Sequence, residues 1–458
     1  MRLFNCQSCG QAIYFENRFC NSCGHALGYL PITGQLAALE PEGDHYVALT
    51  RKKPLVRYCE NIESDTCNWL IPAGQESPFC LACRHNRTIP DLSLAENLPR
   101  WQQMEIAKHR LFYTLIALKL PLKNRTDDPD HGLAFDFLTD EVQQVLTGHE
   151  EGLVTINLAE ADDAYRETLR NSMGEPYRTL LGHFRHEVGH YFWDLLVRDS
   201  GRLEDCRALF GDDSEDYATA LQRHYAEGPP PGWQNNFISA YASAHPWEDF
   251  AESWAHYLHI VDTLETASTF GLRIHPLATK NKSLHADLNF DPHQANSIKT
   301  IIDAWLPLTF AMNNLNRSMG YSDLYPFILS EPVIAKMQFI HEIIRASQVE
   351  RKPPSGRRKS SAPLQTPPLR DQPTQDQPLQ DQPLQAAPEQ PPAPPPTTPM
   401  PPNPPPPGPD IPPENPPVVE PPHDPLPDTP PIELPPGPDE HPSPIPDEIP
   451  PRIQIGVG

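Results

Sequence analysis

The sequence predicts an α+β chain in three parts: cysteine-rich modules, then a body of helices with a few strands, then a tail without a fold of its own. Three observations predict it. Eight of the nine cysteines fall between Cys6 and Cys83. Helical and strand periodicities alternate through the middle of the chain. And 40 of the 59 prolines lie in residues 353–458. The expected domains are residues 1–30, 31–95, 96–350 and 351–458.

The first module carries Cys6-x2-Cys9 and Cys20-x2-Cys23, two knuckles separated by ten residues. Each knuckle sets two thiolates on one tight turn, and two facing knuckles complete a tetrahedral four-cysteine zinc site. So short and polar a segment has too little apolar surface to fold alone, and the metal supplies much of its stability. Cys59, Cys67, Cys80 and Cys83 form a second candidate set, with His85 as a substitute ligand. Residues 45–58 read as strand and turn material joining the two. Cys206 is left over as an ordinary thiol near a helix end.

The body opens with a helix over residues 99–119 that turns Ile106, Leu111, Leu115 and Leu118 inward. Two strands follow, at 133–138 and 152–158. Residues 178–197 read as an amphipathic helix in which Leu180, Leu181, Phe184, Val188, Phe192, Leu195 and Leu196 recur at helical spacing. Another helix spans 247–261, with Phe250, Trp254, Leu258 and Val261 on one side and Glu248, Glu252 and His259 on the other. Helices at 296–314 and 331–347 close the body.

The chemistry sits in the 178–197 helix, which contains His186-Glu187-Val188-Gly189-His190. Residues four apart share a helix face, so His186 and His190 can grip one Zn2+ while Glu187 takes a proton from a water beside it. This is the zincin arrangement, and it points to metal-assisted peptide hydrolysis. Gly189 costs about 1 kcal/mol in a helix interior relative to Ala, which a close backbone approach would explain. His183 is expected beside the site or on the surface, not as a ligand. The third ligand comes from the carboxylate pair Glu248 and Glu252, one turn apart; His245 and His256 are weaker alternatives.

The run Glu248-Asp249-Phe250-Ala251-Glu252, with Tyr241 seven residues earlier, resembles the pattern of anthrax lethal factor-type glutamate zincins. That resemblance implies Glu248 as third ligand, Glu252 as a carboxylate orienting a ligating histidine, and Tyr241 as donor to the developing oxyanion. Glu252 as the ligand, with Glu248 outside it, stays open. Residues 1 to about 345 also resemble a bacterial family of zinc-binding metallopeptidases with a zinc ribbon ahead of a zincin-like domain. The resemblance implies a fold and a reaction class, with one catalytic and one or two structural zinc ions. By the same analogy strand 152–158 is the sheet edge that recruits an extended peptide.

The formal net charge is −24, of which residues 353–458 carry −9 and the body −15. A body this acidic argues against nucleic acid as a partner. The opening segment lacks the pattern of a secretory signal, and zinc thiolates suit a reducing interior. The expectation is a cytoplasmic chain with no membrane association. The tail, with its DQPTQ-DQPLQ-DQPLQ repeat from Asp371, cannot bury enough apolar surface to order itself. It is a spacer, or a ligand for a proline-reading protein partner. The predicted function is a zinc metallopeptidase acting on a peptide or protein substrate. The alternative is a zinc-stabilised, non-catalytic scaffold or regulator that recruits proteins through its ribbons and tail.

Overall fold

A computed structural model describes residues 2–140, 145, 147–173 and 179–349. The expected proline-rich tail lies outside the described residues, as do 174–178, the last of which opens the expected motif helix.

Strands β1 (Phe4–Asn5) and β2 (Ala12–Ile13) pair antiparallel across the first knuckle. An antiparallel meander follows, made of β3 (Ala26–Leu30), β4 (Gln35–Glu42), β5 (His45–Ala48), β6 (Leu55–Tyr58) and β7 (Leu70–Pro72). The sheet curls until β3 reaches the chain just before β7, where Tyr29 N–H donates to Asn68 O at 2.9 Å. Gly28 permits that closure, since a Cβ there would come within 2.5 Å of the Leu70 side chain. The expected boundary between residues 30 and 31 falls inside the β3–β4 hairpin, where Leu30 faces Gln35.

From the meander the chain enters β8 (Asn86–Thr88), α1 (Asn97–Ala117) and β9 (Ala134–Leu138), then β10 (Gly148–Glu150) and β11 (Leu153–Asn157). These strands form one sheet in the order β10-β11-β9-β8. The strands β8, β9 and β11 run parallel, with α1 as the crossover from β8 to β9; β10 is antiparallel to β11. The strand expected at 152–158 therefore exists, but it is interior. The edge on that side is β10, because the hairpin ending in β11 adds one more strand outside it. Helix α1 is buried almost all round, and Glu105, Lys108 and His109 lie inside with its leucines, while Ile106 is only half-buried.

The rest is helical. After α2 (Asp163–Met173) comes α3 (Leu180–Trp193), which carries the histidine pair and ends in a π-helical turn at Asp194–Arg198. Thr179 caps α3 by accepting from Gly182 N–H at 3.0 Å. Then follow α4 (Leu203–Phe210), α5 (Tyr217–Glu227) and the long α6 (Pro246–Thr269). A short pair, β12 (Arg273–Ile274) and β13 (Ala286–Asp287), precedes α7 (Ile298–Ser318) and α8 (Glu331–Val349). Helix α6 buries Phe250, Trp254, Leu258 and Val261 completely. It packs directly on α3 at Gly189, where a Cβ would sit 3.0 Å from Ala251 Cα. One apolar cluster runs from Phe4 through α1, α3 and α6 to α8, so the cysteine modules and the helical body share a core.

Candidate metal centres

Four thiolates about 2.3 Å from a tetrahedral zinc ion lie roughly 3.8 Å from one another. Cys6 and Cys23 have their sulfurs 3.7 Å apart, and Cys9 and Cys20 3.6 Å apart. In the second set Cys67 and Cys80 are 3.8 Å apart, and Cys59, Cys67, Cys80 and Cys83 converge on one buried point. Both sets have the spacing of a closed, structural zinc site. Backbone N–H groups of Trp69, Cys80 and Cys83 point at the second set from 3.3–3.4 Å, as anionic sulfurs require. His85 is outside it: its Nδ1 donates to Leu81 O at 2.8 Å and its ring packs on Phe112. Cys206 is buried in α4, and burial pushes its thiol up to about 12.

The second centre is continuous with the body. Cys83 Sγ lies 3.6 Å from His109 Nε2 and 3.7 Å from Glu105 Oε2, both on α1. Lys108 pairs with Glu105 at 2.6 Å, and both side chains are fully buried. Asn86, the first residue of β8, joins them by donating to Glu105 at 2.9 Å.

The third cluster forms where α3 crosses α6. Donor atoms of His186, His190 and Glu248 lie within 4.8 Å of one another, and all three residues are buried. Nε2 of His186 is 3.0 Å from Glu248 Oε2, and Nε2 of His190 is 3.6 Å from Glu248 Oε1. Ligands about 2.05 Å from a tetrahedral zinc would be roughly 3.3 Å apart, so the set fits. Among the described residues no donor is assigned to the buried Glu248 Oε2, which has only His186 Nε2 close by and suits a carboxylate facing a cation. Burial alone would raise the Glu248 carboxyl, but His190, His186 and the Tyr217 hydroxyl hold it down at about 2.

Glu252 stands behind the cluster. A carboxylate only accepts, so His186 Nδ1 donates to Glu252 Oε1 at 2.8 Å and Nε2 is left to face Glu248. The other oxygen, Oε2, accepts from the Ser239 hydroxyl at 2.6 Å. Glu187 is 4% exposed, and burial raises its carboxyl above the usual range against the pull of His186 and His183. Tyr241 lies with its ring 6.0 Å from that of His186. His245 instead caps α6, accepting from Trp247 N–H at 3.1 Å. His256 is bonded to the Tyr325 hydroxyl at 2.8 Å. His183 bonds Glu160 at 2.5 Å, away from the ligand atoms.

A family described as "putative zinc-binding metallo-peptidase" matches residues 97–343, which hold His186, Glu187, His190 and Glu248. The chain belongs to that family. A zinc-ribbon domain matches residues 3–94, the stretch that holds both four-cysteine sets. An uncharacterized protein of Mycobacterium bovis and two from strains of Mycobacterium tuberculosis are each 45% identical over 361 residues, covering 78% of this chain and 99% of theirs. No solved structure matches the chain. Zinc binding by this metallo-peptidase family member is supported by both family descriptions and by the two cysteine clusters. Among the described residues no helix is long and apolar enough to cross a membrane.

Three residues around the third cluster gave no signal in the sequence. Tyr217, on α5, donates to Glu248 Oε1 at 2.7 Å from 31 residues upstream, and its hydroxyl also neighbours that of Tyr241. Ser239 fixes Glu252, and His149 on β10 stacks on His190 with ring centroids 6.2 Å apart. None sits at a spacing that links it to the histidine pair; only the folded chain brings them together.

Proposed function

We propose that the protein is a zinc-dependent metallopeptidase of the glutamate-zincin type. The convergence of His186, His190 and Glu248, with Glu187 on the intervening turn, carries the reading. Zinc held by those three residues would polarise the scissile carbonyl and lower the pKa of water from about 15.7 to about 7. Glu187 takes the proton of the attacking water and delivers it to the leaving amine. Glu252 fixes the tautomer and ring angle of His186. Tyr241 donates to the oxyanion that develops on the carbonyl, and Tyr217 holds Glu248 in place. The two cysteine sets each hold a structural zinc, for three ions in all.

The substrate in this reading is an extended peptide or protein segment. It pairs with β10, the sheet edge whose His149 stacks on His190. The test is cleavage of a diverse peptide library by wild-type protein and by Glu187→Gln. Wild-type cleavage that Glu187→Gln lowers by a factor of about a thousand, with zinc content unchanged, supports the proposal. Equal rates for the two proteins overturn it.

A further inference from the structure

His183 has no place among the ligands, yet it sits one helical turn before Glu187. Its Nε2 is 3.6 Å from Glu187 Oε1, and its Nδ1 is 2.5 Å from Glu160 Oε2. The imidazole thus lies between two carboxylates, bonded to that of Glu160, and is itself only 17% exposed. Glu160 is a rigid anchor. It lies in a short turn directly after β11, is 3% exposed, and its other oxygen accepts from the Thr147 hydroxyl at 2.5 Å. Thr147 in turn accepts from Asn157 N–H at 3.0 Å, the last residue of β11. Thr147 also immediately precedes the edge strand β10. A line of hydrogen bonds therefore runs from the end of β11 and the start of β10 through Glu160 to His183, whose Nε2 stands in contact range of Glu187 at 3.6 Å.

Such a line matters because a glutamate has three side-chain torsions, and rotation about any one would swing its carboxylate. A general base must keep one oxygen within reach of the attacking water. An ordinary surface histidine on α3 would leave Glu187 to its own rotamers. Here one oxygen of Glu187 has a fixed neighbour, the His183 imidazole that Glu160 holds from its other side.

We propose that His183, clamped by Glu160, is a positioning residue that fixes the Glu187 carboxylate and ties it to the strand edge where substrate is held. The proposal rests on the metallopeptidase reading and deepens it. If it holds, pairing of a peptide with β10 and orientation of the base are mechanically linked, and the loss on breaking the link falls on turnover rather than on binding.

The experiment compares wild type, His183→Ala, Glu160→Gln and the double variant, all loaded with zinc. Turnover is measured on a peptide that wild type cleaves. Affinity for acetohydroxamate, a small chelator whose acidic hydroxyl hydrogen-bonds a neighbouring carboxylate, supplies a readout besides activity. Expected for His183→Ala are a kcat loss of about 10- to 100-fold, KM and zinc content within twofold of wild type, and weaker acetohydroxamate binding by about five- to tenfold. Glu160→Gln, nearly isosteric, moves both readouts in the same direction by less. The double variant is no worse than His183→Ala, because the two residues act on Glu187 as a unit. A His183→Ala protein with wild-type kcat and acetohydroxamate affinity overturns the proposal and leaves the metallopeptidase reading standing. So does a loss confined to KM. Wild-type protein that neither cleaves peptides nor binds acetohydroxamate overturns both.

Discussion

His186 donates its Nδ1 proton to Glu252 from 2.8 Å, and this one bond sets Glu252 behind the ring, where the sequence had left it open as an alternative to Glu248. Because Nδ1 is committed to Glu252, only Nε2 can bind a metal, and Nε2 faces Glu248 at 3.0 Å. Glu252→Gln keeps the size of the side chain but weakens the acceptor. It is expected to lower zinc affinity by about 10- to 100-fold, the usual effect of removing a carboxylate behind a ligating histidine. Glu248→Gln removes a ligand and lowers affinity further. Chelator competition measures both; equal losses for the two variants would return Glu252 to the ligand set.

The crossing of α3 on α6 predicts the behaviour of Gly189→Ala. In an isolated helix the change would stabilise by about 1 kcal/mol. Here the new methyl lies 3.0 Å from Ala251 Cα and 3.3 Å from Ala251 O, and backbone cannot swing aside as a flexible side chain can. The crossing must widen, so the expected net effect is a loss of about 1–3 kcal/mol. Zinc affinity falls with it, because Glu248 rides on α6. Urea unfolding decides the sign, and a more stable variant would show that the crossing has room to spare.

The parts of this architecture that were legible in the sequence are those written in local spacing. The knuckles at Cys6, Cys9, Cys20 and Cys23 and the pair His186 and His190 depend on a turn or a helical period, which few residues specify. Gly189 was legible as well, because a helix-interior glycine needs a reason and close packing is the commonest. The edge strand was not. Residues 152–158 carry the stronger apolar alternation, but the outer place in the sheet went to Gly148–Glu150, three residues too short and polar to register. Tyr217 was hidden for a different reason. Its partner Glu248 is set by the path of α5 over the site, which no short-range pattern encodes. The burial of Glu105, Lys108 and His109 also went unread, since on sequence alone they look like the solvated side of α1.

That buried trio leads to a prediction about the two cysteine centres. Cys83 touches Glu105 and His109 and opens the turn that feeds β8, so the second centre is part of the body's sheet and core. Cys9 is exposed and lies at the edge of the fold. Each of Cys83→Ser and Cys9→Ser should cost one zinc ion. Cys83→Ser should also lower the melting temperature of the whole body by about 10 °C or more, while Cys9→Ser lowers it by less than half of that. Thermal melts with metal analysis test the asymmetry. Equal shifts would mean that the two centres support the body alike.

The pH dependence of stability should carry the mark of His293. Burial pushes this imidazole down, but the Asp262 carboxylate 3.8 Å away, the bond to Asp291 and the nearby Glu265 outweigh burial and raise it to about 9. A histidine whose pKa is raised on folding binds its proton more tightly in the folded state. Its contribution is complete below its unfolded value of about 6.5 and is lost as pH rises through about 9. Over that window the advantage of wild type over His293→Asn should shrink by on the order of 3 kcal/mol. Taking the difference between the two proteins cancels the titrations they share, including those of the cysteine thiols. Urea unfolding at pH 6 and pH 9.5 measures it. A gap that stays constant, or widens toward alkaline pH, would mean that His293 is neutral in the folded protein and that Arg185 alone balances Asp262.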